Sequence, residues 1–224
     1  MEATKPMIIA FFGDSFSHDE SGYPGRISKH FNYTSENYSQ PAGSPLDTYK
    51  QMCDRFSSKN KVPDVAVVTI THSDRLFHDK YLIRGNGAVN KDFTPVTENV
   101  NKAVSAYYSE LFSIEGSKLM HRLFCQSLAQ FSLEHASTKF IFLPCFDSFA
   151  GSTMGNYVVT GPRLMNFAEM DMDIHIREFN GEHLRDNHMS EKFNKNLTNI
   201  IIREIERYKY NSPKFVDILG DMLL

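Results

Sequence analysis

Residues 7–12, Met7-Ile8-Ile9-Ala10-Phe11-Phe12, form an unbroken apolar run that stops at Gly13-Asp14-Ser15-Phe16-Ser17. A run this short, with no polar alternation, reads as a strand buried on both faces of a parallel sheet. Ligands of open α/β sheets collect at the carboxyl ends of the strands, so a hydroxyl at Ser15 faces a crevice. The residues alone leave two readings open. Gly-Asp-Ser after a strand is ordinary loop and helix-cap chemistry, and a Ser there is also a nucleophile if a base reaches it. Asp186-Asn187-His188, just ahead of the last strongly helical pattern, offers such a base, and the three side chains are the parts of a hydrolytic triad.

The strand signature recurs at 64–70 and 139–144, and more loosely at 34–40. Ser44-Pro45 is a helix start, with Ser as cap and Pro in the first turn, and apolar residues follow at helical spacing as far as Phe56. Helices are expected at 26–31, 97–113, 118–135 and 190–208. Residues 75–95 read as an irregular loop with a turn at Gly85-Asn86-Gly87, and 145–172 as loop with a short helix. A small edge strand is expected at 173–179, and 215–224 is an apolar tail that must dock. Strands alternating with helices imply a parallel sheet covered on both faces. The polar stretches 13–17, 41–44 and 71–74 then line one edge of that sheet.

Composition narrows the function classes. The chain of 224 residues, 41% hydrophobic and 23% charged, can bury a substantial core. A formal charge of −3 gives no footprint for nucleic acid. No apolar run approaches the roughly 20 residues that span a bilayer. No secretory signal is evident, and Cys53, Cys125 and Cys145 are too few and too scattered for a disulfide framework, so a reducing, cytoplasmic setting is expected. The groups His72, His78, Asp74 and Asp79, and His183 with His188, match no metal-ligand spacing and read as solvated loop residues. Cys145 reads as a small buried hydrophobe.

Gly13-Asp14-Ser15-Phe16-Ser17 resembles the first sequence block of the SGNH (GDSL-type) hydrolases. Gly43, within Gln40-Pro41-Ala42-Gly43-Ser44, falls at that family's second-block glycine. Ile70-Thr71-His72-Ser73-Asp74 stands at its third block, and Asp186-Asn187-His188 resembles its fifth. The four occur in the family's order and span nearly the whole chain. The resemblance implies a flavodoxin-like three-layer α/β/α sandwich around about five parallel strands. A single domain over 1–210, followed by a tail at 211–224, is expected.

On this resemblance Ser15 is the nucleophile, His188 the general base and Asp186 the group that orients it. The oxyanion is held by the Ser15 and Gly43 amides together with Ser73, with Asp14, His72 and Asp74 as accessory candidates. No cofactor and no metal are implied, and the substrate is a small-molecule or glycan ester. Two departures bear on this. Ser73 stands where the family has an Asn donor, and one residue separates Asp186 from His188 where the family has two. Those departures motivate the rival expectation, a non-catalytic binding or structural module on the same sandwich.

Overall fold

Alternate residues of the central strands feed two different cores, which is why those strands read as continuous apolar runs. Ile9, Phe11, Val65, Val67, Ile141 and Leu143 point to one side; Ala10, Phe12, Ala66, Val68, Ile70 and Phe140 point to the other. The computed structural model describes residues 7–18, 20–31, 33–58, 60–71, 74–84, 87–144, 153–154, 157–158 and 191–210. Strands β1 (Ile8–Phe12), β2 (Thr34–Asn37), β3 (Val65–Ile70) and β6 (Lys139–Pro144) form a parallel sheet in the order β2-β1-β3-β6. The registers pair Phe11 with Asn37 and with Val67, and Val67 with Ile141.

Helices α1 (Ser15–His18), α2 (Tyr23–Phe31) and α6 (Glu191–Tyr210) lie on the first side, burying Phe16, Tyr23, Ile27, Leu197, Ile201 and Ile205. Helices α3 (Pro45–Phe56) and α5 (Ile114–Glu134) cover the second with Met52, Phe56, Phe124, Leu128 and Phe131. The molecule is therefore the α/β sandwich expected, with four parallel strands among the described residues. The fifth, expected at 173–179, lies outside them, as do Cys145 and the tail at 211–224.

Local chemistry explains where α3 begins. The Ser44 hydroxyl accepts from Asp47 N at 3.2 Å while Asp47 Oδ2 accepts from Ser44 N at 2.9 Å, a reciprocal capping box with Pro45 in the first turn. Arg55 near the end of the helix reaches across to the sheet edge. Its Nε and Nη2 donate to the Glu36 carboxylate at 2.6 and 3.2 Å, and Nη2 also to Lys61 O at 2.7 Å.

Two expectations change. Residues 75–95 are not irregular: β4 (Tyr81–Arg84) and β5 (Gly87–Asn90) pair antiparallel, with Arg84 opposite Gly87, and Gly85 and Asn86 between them lie outside the described residues. The two-residue Gly-Asn connection between short apolar stretches carried that signal. Nor is 97–113 one helix. α4 (Glu98–Ala106) passes into a π-helical turn at Tyr107–Leu111, and α5 starts afresh where Ser113 Oγ accepts from Gly116 N at 3.2 Å. Short strands β7 (Thr153–Met154) and β8 (Tyr157–Val158) pair with each other. No helix among the described residues is long and apolar enough to cross a membrane.

Burial pushes the Cys125 thiol up from 9.0 to about 12. Burial, with the charge of Asp74 as the next cause, pushes the Tyr108 phenol up from 10.0 to about 12. Both groups keep their protons in the folded chain at pH values where the unfolded chain has released them, so folding is progressively disfavoured as pH rises through that window. The midpoint of urea unfolding should hold steady below pH 9 and fall between about 9 and 12. Tyr108→Phe should flatten the upper part of that fall, measured by circular dichroism across a pH series.

Candidate active site at the strand ends

The strand order reverses between β1 and β3, since the chain runs from β1 outward to β2 and then returns to β3. The crevice of such a sheet opens at that point, beyond the carboxyl ends of the two strands. Gly13 is where β1 gives out, at φ 139°, a conformation that residues with a side chain rarely adopt. A Cβ on Gly13 would stand 1.6 Å from Thr69 Oγ1 and 3.0 Å from Ser17 Oγ. The glycine lets the chain turn against β3 without a clash. The Thr69 hydroxyl then occupies the junction, accepting from Asp14 N at 3.2 Å and donating to Phe12 O at 3.3 Å. Ser17 Oγ lies 3.1 Å away and itself accepts from Ser39 Oγ at 3.0 Å, which ties in the chain beyond β2.

Ser15 follows as the first residue of α1, partly exposed, with Phe16 turned into the core on its far side. Neither the Ser15 hydroxyl nor its N–H has a hydrogen-bond partner among the described residues. Its neighbour is the opposite case. Asp14 is fully buried, with Oδ1 accepting from Phe16 N at 3.1 Å and Oδ2 from Thr71 Oγ1 at 2.7 Å and Arg75 Nη1 at 2.9 Å. The carboxylate is thus charge-paired and saturated with donors, a hub that sets the backbone around Ser15.

Gly43 sits against this corner, its would-be Cβ 3.7 Å from Gly13 O. It ends a four-residue turn closed by Gly43 N donating to Gln40 O at 3.0 Å, with Pro41 second and Ala42 third at φ 60°. Type II turns usually reserve that third place for Gly, so Ala42 carries local strain. The turn is fastened on both sides: Gln40 N donates to Gly13 O at 2.9 Å, and Gly43 O accepts from Arg75 Nη1 at 3.1 Å. Asp74 meets the π turn instead, its carbonyl accepting from the Tyr108 hydroxyl at 2.5 Å.

The structure thus brings Gly13, Asp14, Ser15 and Gly43 into one corner. His72, Ser73, Asp186 and His188 lie outside the described residues. Three polar residues were missed from sequence: Thr69, Thr71 and Arg75. Thr69 carried a readable sign, a hydroxyl interrupting the β-branched apolar run of β3 at the position level with Gly13. Arg75 carried none, since a single cation in a polar stretch looks solvated. Among the described residues no three His, Cys, Asp or Glu side chains are grouped to hold a metal ion.

No family model and no curated protein sequence matches the chain. Among solved structures it is similar to a carbohydrate esterase whose active site displays divergent catalytic and non-catalytic binding functions, at 13% identity and a TM-score of 0.47, over 92% of this chain and 67% of that one. It is also similar to a lipase/acylhydrolase from Enterococcus faecalis, at 15% identity and a TM-score of 0.44, over 94% of this chain and 100% of that one. A lipolytic protein of the G-D-S-L family from Desulfitobacterium hafniense gives 14% identity and a TM-score of 0.36, over 88% and 98%. Overlaps of this depth say nothing about chemistry, which rests on the geometry of the strand ends.

Replacing Gly13 by Ala should cost about 2–6 kcal/mol, combining backbone strain with overpacking against Thr69. Urea denaturation of the variant measures it. Thr69→Ala should soften the steric part of the loss in the double variant, because it removes the Oγ1 that the added Cβ would meet at 1.6 Å.

Proposed function

We propose that the chain is a serine ester hydrolase acting on carboxylic esters, with a short acyl group such as acetyl on a sugar or another polar alcohol. One observation supports it above the rest. A partly exposed seryl hydroxyl without a partner among the described residues stands at the carboxyl end of β1, where the strand order reverses, beside a saturated and immobile carboxylate. The order of the motifs adds to this reading.

In the proposed mechanism Ser15 Oγ attacks the ester carbonyl as His188 removes its proton. His188 then returns that proton to the departing alcohol, leaving an acyl-Ser15 ester. A water deprotonated by His188 attacks this ester, and the carboxylic acid and free Ser15 are regenerated. Asp186 orients the imidazole. The oxyanion formed at each attack is held by the Ser15 N–H, which has no partner among the described residues, and by Gly43. The Gly43 N–H already closes its turn onto Gln40 O, so it serves the oxyanion through a shared, three-centre hydrogen bond. Ser73 contributes its hydroxyl. A hydroxyl swivels where an amide would be fixed, so this hole is less preorganised than one with an Asn.

Hydrolysis of p-nitrophenyl acetate by the purified chain tests the reading. Ser15→Ala should abolish turnover and His188→Ala should reduce it by about 10³ or more. The kcat/KM of the wild type should rise with pH through the imidazole range, about 6–7, because only the neutral ring accepts the proton. A fluorophosphonate probe should label Ser15 and no other residue. A chain that neither turns over the ester nor takes the label is the inert module, and the esterase reading ends there.

A further inference from the structure

We infer that Arg75 is a positioning residue of the active site, holding the two oxyanion donors at their working separation. This rests on the esterase reading above. One guanidinium nitrogen, Arg75 Nη1, donates to Asp14 Oδ2 at 2.9 Å, Thr71 Oγ1 at 2.8 Å and Gly43 O at 3.1 Å. Those acceptors belong to three separate stretches of chain: the residues after β1, the residue after β3, and the turn before α3. Through Asp14, whose other oxygen accepts from Phe16 N, the guanidinium fixes the backbone that carries Ser15. Through Gly43 O it fixes the turn that carries the second donor. The gap between the Ser15 and Gly43 amides is therefore braced by this side chain, together with the backbone bond from Gln40 N to Gly13 O.

The geometry shows why an arginine is used. The Arg75 side chain is 15% exposed and Asp14 is fully buried, so the pair is shielded from water on the side of the carboxylate. Thr71 donates its own proton to Asp14, which leaves its oxygen free to accept from Arg75 and makes a closed triangle of carboxylate, hydroxyl and guanidinium. A lysine ammonium also has three donors, but it sits on a flexible stem and lacks the planar group that fixes the direction of Nη1, so it holds carboxylate, hydroxyl and carbonyl less rigidly. The strained turn at Ala42 adds to the need, because a turn in that conformation relaxes unless its ends are held. Arg75 also lines a cavity of about 320 Å³ with Tyr49, Leu76, Phe77 and Phe124.

An oxyanion donor acts on the transition state more than on the bound ester, so its displacement lowers kcat and leaves KM nearly unmoved. The experiment compares wild type, Arg75→Ala and Arg75→Lys in p-nitrophenyl acetate hydrolysis, with and without guanidinium chloride at tens of millimolar. We expect kcat to fall about 30- to 300-fold in Arg75→Ala with KM within threefold. Added guanidinium should raise that kcat at least fivefold and do nothing for wild type. Arg75→Lys keeps the charge against Asp14 and so preserves the fold, yet should lose about tenfold in kcat, and it decides the matter if the alanine variant does not fold. Wild-type kcat in Arg75→Lys, or a folded Arg75→Ala whose lost activity guanidinium does not restore, overturns the inference while the esterase stands. A wild type that is itself inactive and unlabelled overturns the reading beneath it.

Discussion

The close approach of Gly13 to Thr69 is the contact on which the rest of this molecule depends. Parallel strands run side by side at fixed spacing, and whatever follows them must leave the sheet without colliding. With no Cβ at Gly13, the backbone turns directly over the side chain of β3, and the Thr69 hydroxyl supplies the bonds the departing chain needs. Ser15 is partly exposed because Gly13 turned early; Phe16 is buried for the same reason, one residue on. A larger residue at either position would carry α1 away from the crevice.

The two cores explain how far the sequence could be read. β1, β3 and β6 are six residues or fewer, apolar apart from Thr69 and Lys139, and sandwiched, so their identity as parallel strands followed from pattern alone. Helix α3 was equally plain because a cap, a proline and an apolar stripe all agreed. The hairpin β4–β5 escaped notice because its strands are four residues each, too short for the Gly-Asn signal to stand out, and the chain just past it is held by partners distant in sequence: Lys91 to Asp47 at 2.9 Å and Gln40 to Lys91 O at 3.4 Å. Tertiary contacts of that kind leave no periodic trace. The π turn at Tyr107–Leu111 is similar, since nothing in the helical spacing of 97–113 marks the change of pitch.

For the site the division is different. Ser15 and Gly43 were picked out by the order of the motifs along the chain, since Gly-Asp-Ser after a strand is by itself ordinary loop and cap chemistry. The groups that hold them were not. Asp14 was an accessory candidate, and the structure makes it the buried centre of a donor cluster. Arg75 and Thr71 lie four residues apart in a stretch that reads as solvated, and only the folded sheet brings their side chains onto a carboxylate 61 and 57 positions earlier. Residue type and spacing reveal what reacts more readily than what steadies it.

The far side of the sheet has its own logic. β2 is four residues long, Thr34-Ser35-Glu36-Asn37, and has no strand beyond it among the described residues. Such a border invites another polypeptide to add itself as a further strand, the route by which sheets grow into fibrils. Here the border is short and wholly polar, and Glu36 is clasped by Arg55 from the helix behind it. An incoming strand would have to bury that charge pair and four hydrophilic side chains with no apolar surface to offset the loss of water. The same arginine that anchors α3 therefore helps keep neighbouring copies from stacking edge to edge.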